Sequence, residues 1–183
     1  VTNDANESSQ TSARGLQIAR WADLKPAGKA FLDSHLAAYE KENFRVIGPG
    51  VTEDPGSRPV ITGKHGFSVG FARMQPGKGA ALHSHKTLEV FIPLNGPMIV
   101  TFGANGEQQT ELQPWDTASV PVGEMRGFRN PNDFPLVILA IIQDGSSGPE
   151  RVEWHPDVVQ QAQAIGIRVD AQGNLAQTET VKG

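Results

Sequence analysis

Between residues 60 and 143 the sequence is cut into short runs of strand-forming residues, with no segment between them long enough to be a helix. The runs fall at 60–62, 67–75, 80–85, 88–94, 98–102, 108–113, 117–120, 126–130 and 136–143. Turn-forming residues separate them, as in Asn95-Gly96-Pro97 and Ala104-Asn105-Gly106. Parallel strands need a crossover of about a dozen residues or more, usually a helix. The spacing therefore predicts an antiparallel all-β sandwich or barrel.

Within that stretch, His83 and His85 stand two residues apart and Glu89 follows four residues later, with Gly77 and Gly96 at the ends. Side chains at i and i+2 of a strand share a face, so the two histidines converge if the segment is extended. Glu89 has the same parity and joins them if no bulge intervenes. On a helix His85 and Glu89 would share a face while His83 lay elsewhere. The pattern reads as a metal site on a strand. The 183-residue chain has no cysteine, so disulfides, thiolate nucleophiles and sulfur-ligated centres are excluded, and a metal must be held by nitrogen and oxygen.

The net charge of -4 comes without a basic stripe, which argues against nucleic acid as a partner. The longest apolar run, 136–142, suits a buried strand and falls far short of the roughly 18 residues of a membrane span. No basic, apolar leader is visible in residues 1–15, and with the absence of cysteine this gives the expectation of a cytoplasmic protein.

Outside the strand-rich stretch, residues 1–15 read as a disordered polar tail and 16–183 as one domain, with the barrel core at 59–145. Ala30, Phe31, Ser34, His35, Ala38 and Tyr39 recur at helical spacing and predict an amphipathic helix over 27–42. A second helix is expected after Pro156, with Val158, Val159, Ala162 and Ile165 on its apolar face and Gly166 ending it. Residues 171–174 read as a turn, and the last residues as frayed. His35, His65 and His155 are expected in packing, loop and capping roles, and Asp116 in fixing a turn.

Taken together, these residues resemble the cupin superfamily. Its first motif is filled at every position by Gly77, His83, His85, Glu89 and Gly96. Its second motif is matched by Pro121, Gly123 and Asn130, with Trp115 where a glycine is usual and Arg126 where the histidine would stand. The resemblance covers 67–143 and implies a small jelly-roll barrel (a double-stranded β-helix) with short N- and C-terminal helices, forming a homodimer. It also implies a divalent metal held by His83, His85 and Glu89.

The fourth ligand is missing, because arginine stays protonated and cannot ligate a metal. Three arrangements are open. The triad can leave open positions suited to Fe(II) and oxygen chemistry, with Arg126 as the catalytic-site residue that binds a substrate anion. His65, Gln75 or Gln143 can complete the shell while Arg126 points away. Or Arg126 pairs with Glu89 and the barrel is a binding pocket without a catalytic metal.

The first arrangement makes the chain a mononuclear dioxygenase acting on a small carbonyl, enol or aromatic acid. Fe(II) is the expected cofactor, and Mn, Ni, Co, Cu or Zn accept the same donors. A non-redox isomerase, epimerase or lyase acting on a sugar or keto acid would use the metal as a Lewis acid. A small-ligand-binding cupin is the non-catalytic alternative.

Overall fold

The computed structural model describes residues 15–145 and 150–177. The expected tail (but for Gly15) and the last six residues of the chain lie outside them. Among the described residues, twelve strands and one α-helix are formed: β1 (Glu42–Ile47), β2 (Phe67–Met74), β3 (Gly79–Ser84), β4 (Glu89–Pro93), β5 (Met98–Phe102), β6 (Gln108–Leu112), β7 (Ala118–Val120), β8 (Arg126–Arg129), β9 (Leu136–Gln143), β10 (Glu153–Trp154), α1 (Pro156–Ala164), β11 (Ile167–Val169) and β12 (Leu175–Gln177). Two five-stranded sheets, ordered β1-β2-β9-β4-β7 and β10-β3-β8-β5-β6, face each other, and their pairings are antiparallel throughout. This is the expected jelly-roll arrangement. No helix among the described residues is long and apolar enough to cross a membrane.

The core follows from strand alternation. Ala72, Met74, Phe91, Leu136 and Ile138 from one sheet meet Ala80, Met98, Val100 and Phe128 from the other, all buried. Phe91 and Phe128 touch edge to face across the gap, with ring centroids 5.1 Å apart. Burying one such aromatic side chain contributes about 2–3 kcal/mol. Close packing leaves no room at Gly79, where a Cβ would fall 1.8 Å from the Phe128 carbonyl oxygen.

The N-terminal helix is not formed. Ala27 bridges to Asn43, and short 3-10 turns follow at Leu32–His35 and Ala37–Tyr39, divided by the extended Leu36. β1, not foreseen from the sequence, then pairs with β2. Tertiary partners override the helical spacing. The buried Asp33 carboxylate receives the Ala81 amide at 2.9 Å and pairs with Lys41 at 2.6 Å, which fixes the segment against β3.

The expected strand at 60–62 reduces to a single bridge between Ile61 and Ile47. At the other end α1 forms where Pro156 places it, and the His155 side chain caps it by accepting from the Asp157 amide. The expected turn closes a hairpin of β11 and β12.

Candidate functional site

His83 lies in β3 directly opposite Arg126 of β8, and Trp154 of β10 lies opposite His83 on the other side. Directly opposed residues of antiparallel strands share a face, so Trp154, His83 and Arg126 form one row. The register of β3 against β8 shifts between Ala80 and His83. His85 follows the end of β3, and its carbonyl receives the Gly123 amide at 3.0 Å, so the turn carrying the second motif holds the first in place. Glu89 opens β4 in the other sheet. It therefore meets the histidines from across the barrel, not from the same strand.

The ring nitrogens are assigned by their partners. His83 Nδ1 lies 2.7 Å from the Ala81 carbonyl, and His85 Nδ1 lies 3.1 Å from the Thr87 carbonyl. A carbonyl oxygen only accepts, so each Nδ1 carries the proton and each Nε2 keeps its lone pair. For His85 the other side agrees. Arg126 Nη2, which only donates, is hydrogen-bonded to His85 Nε2 and also to Glu89 Oε2. The 3.1 Å approach of His85 Nε2 to Glu89 Oε2 is thus one of two acceptors sharing a guanidinium nitrogen. Arg126 Nη1 donates to the His83 carbonyl at 3.1 Å. Its Nε is buried and has no partner among the described residues.

Arg126 is 1% exposed, Glu89 5% and His85 2%, so this ion pair is removed from water. Burial lowers the His83 pKa to about 3, helped by the Arg126 charge, and the ring is neutral at ordinary pH. For Glu89, burial alone would push the carboxyl up. The bond and charge of Arg126 outweigh it and hold the group well below the usual carboxylate range. The site is a neutral set: one cation, one anion and two neutral rings.

A divalent ion ligated by His85 and Glu89 would sit about 2.0–2.2 Å from each donor atom. Arg126 Nη2 already lies between those two atoms and bonds to both. Guanidinium and metal ion exclude each other there, by volume and by charge. Among the described residues no group of three or more His, Asp or Glu side chains is arranged to hold a metal. As folded, His85 and Glu89 hold the guanidinium, and with it in place they and His83 do not fit a metal.

The three arrangements left open by the sequence can each be set against this geometry. His65, Gln75 and Gln143 are exposed and complete no shell. Arg126 pairs with Glu89 instead of facing a vacancy. It is absent from the wall of the adjacent cavity, so a substrate anion does not meet its fork.

That cavity, about 130 Å³, is lined by His83, His85, Glu89, Phe91, Phe128, Ile138 and Ala140 among others. It extends past Arg45 of β1 to the N-terminal segment and the loop after β1, where Ala30 and Gly50 contribute. Supporting residues not foreseen from the sequence stand behind it. Glu53 accepts from the Leu32 amide at 2.6 Å and from Trp154 Nε1 at 2.7 Å, and Trp154 packs against His83 with ring centroids 5.3 Å apart. Thr87 Oγ1 lies 2.8 Å from His85 Nδ1. Asn130, the end of the second motif, donates to the Met74 and Phe134 carbonyls at 3.0 and 2.8 Å and is structural. Asp116 fixes its turn through the Gln113 amide, as expected.

The family model described as a cupin domain matches residues 70–142. No curated protein sequence matches the chain. Among solved structures, the cupin-2 domain protein Rru_A2000 from Rhodospirillum rubrum is 14% identical, with 82% of this chain and 85% of that one covered and a TM-score of 0.55. The DMSP lyase DddQ from Ruegeria pomeroyi DSS-3 is 16% identical over 69% of this chain and 58% of its own, with a TM-score of 0.51. A structure reported with the DMSP lyases RdDddP and RnDddQII is also 16% identical, over 61% of this chain, with a TM-score of 0.47. The match spans only about half, 51%, of that chain. At these identities the likeness concerns the fold.

Proposed function

A cupin domain occupies residues 70–142 of this chain, and from that premise we propose that the chain binds a small, largely apolar molecule inside the barrel without a metal ion. The observation that carries this reading is the bond from Arg126 Nη2 to both His85 Nε2 and Glu89 Oε2. A fixed cation replaces an exchangeable one and neutralises Glu89. The cavity beside it offers the lone pair of His83 Nε2 as an acceptor on a mostly apolar wall. An apolar cavity of about 150 Å³ accommodates benzene. A single-ring molecule with one hydroxyl or N–H donor therefore matches the volume and the chemistry.

A metal-dependent dioxygenase acting on a small carbonyl, enol or aromatic acid is the second reading. One observation favours it: both histidines hold the tautomer that metal ligation uses, each oriented by a backbone carbonyl. That reading, like the isomerase, epimerase or lyase variant, requires Arg126 to leave Glu89. Calorimetric titration with phenol, with and without a chelator, separates the two. Binding unaffected by the chelator supports the metal-free pocket. Binding that appears only after Fe(II), Mn or Ni is added contradicts it.

A further inference from the structure

The inner row of the first sheet runs Arg45, Gly70, Ala140, Phe91: Arg45 lies opposite Gly70, Gly70 opposite Ala140, and Ala140 opposite Phe91. Opposed residues share a face. Arg45 therefore stands on the same face as the buried core residue Phe91, and its neighbour Phe44, opposite Phe71, stands on the other; the register shifts just after Arg45. The two middle positions carry almost no side chain, so the cavity lies over Gly70 and Ala140, with Arg45 at one end. From β1 to β4 this row is three strand spacings, about 14 Å.

Arg45, half-buried, differs from the buried cations. Lys41 has Asp33, and Arg126 has Glu89. The Arg45 guanidinium instead bonds to carbonyl oxygens, those of Ser57 at 2.7 Å, Gly48 at 3.5 Å and Pro49. Among the described residues, no carboxylate forms an ion pair with it. Three carbonyls aim the fork, and Asp54 attracts it without forming an ion pair, so no bonded anion neutralises it; a guanidinium stays protonated even when partly buried. A half-buried, unneutralised cation in the wall of a cavity selects an anion.

We propose that Arg45 is the carboxylate-binding residue of the cavity, and that its ligand is a small monocarboxylic acid with one aromatic or aliphatic ring. The ring lies over Gly70 and Ala140 against Phe91, the carboxylate meets Arg45, and a polar group at the far end reaches His83 Nε2. This rests on the binding reading above and names its ligand class.

The probes are 4-hydroxybenzoate and its neutral amide, 4-hydroxybenzamide, titrated calorimetrically at pH 7.5 into wild-type protein, Arg45→Gln and Arg45→Lys. Wild type is expected to bind the acid at least tenfold more tightly than the amide. Arg45→Gln is expected to bind the acid no more tightly than the amide, and Arg45→Lys to keep most of the preference. Should Arg45→Gln fail to fold, the wild-type preference and its loss with rising salt still decide the matter. Equal binding of acid and amide by wild type overturns the Arg45 assignment and leaves the cavity reading standing. If wild type binds neither probe, the cavity reading falls and this inference with it.

Discussion

Raising the pH from 4.5 to 7.5 should weaken the fold through one carboxyl, Glu53. It is 1% exposed, and burial raises its pKa from 4.5 to about 7 against the opposing pull of the Trp154 and Leu32 hydrogen bonds. Between those two values the folded protein keeps a proton that the unfolded chain has lost. The stabilisation is full below pH 4.5, falls as pH rises, and is gone above about 7. A shift of about 2.5 units at 1.36 kcal/mol per unit corresponds to about 3 kcal/mol.

His83 acts in the opposite sense. Its pKa falls from 6.5 to about 3 on folding, so the unfolded state binds the extra proton and stability rises with pH over that range. The two slopes largely cancel between pH 4.5 and 6.5, and the wild-type curve alone is uninformative. Comparison with Glu53→Gln removes the His83 contribution, which both proteins share. The amide cannot accept from both Leu32 and Trp154, so the variant is less stable at low pH by about 1–3 kcal/mol. Urea unfolding followed by Trp fluorescence at pH 4.5, 5.5, 6.5 and 7.5 measures the difference. Wild type minus Glu53→Gln should decline by about 3 kcal/mol across the series. Parallel curves, differing by a constant to within about 1 kcal/mol, would refute the buried-proton argument.

Two further substitutions test how the chain is held. Trp115 has φ 74° and is 72% exposed, so it bears left-handed strain with little packing to offset it. Trp115→Gly should stabilise the fold by about 1 kcal/mol and raise Tm by about 2–4 °C, and a lower Tm would contradict the strain. Lys41→Met strands the fully buried Asp33 carboxylate and should cost about 3–5 kcal/mol in urea unfolding. Adding Asp33→Asn should recover part of that loss, because the amide oxygen still accepts from Ala81 with no bare charge left. A loss under about 1 kcal/mol in the single variant would show that the pair holds nothing together.

What the sequence made legible was local. Alternation along 80–85 paired His83 with His85, and the turn residues separated strands whose register then followed. The helix expected over 27–42 failed because its real partners are remote: Asp33 binds the amide of Ala81, 48 positions away. Glu53 and Trp154, which meet across 101 positions, carry no local signature at all. Glu89 has the right parity, but it reaches the histidines from the opposite sheet. Arg126 was identified as the decisive position, yet its three arrangements have the same sequence. Only the register that sets it opposite His83, together with the bonds to His85 and Glu89, distinguishes them. Arg45 was missed because nothing in a lone strand arginine marks it as facing inward until Gly70 and Ala140 are seen beside it.

The central claim is that Arg126 takes the place of a metal ion. Metal analysis of wild type and Arg126→His, each purified with Fe(II), Mn and Ni supplied and then desalted, tests it most directly. Wild type should carry far less than one ion per chain. Arg126→His, which restores a four-donor set, should carry about one, lost again when His85→Ala is added. About one ion per chain in wild type, removed by Glu89→Ala, would contradict the claim and return the site to metal chemistry.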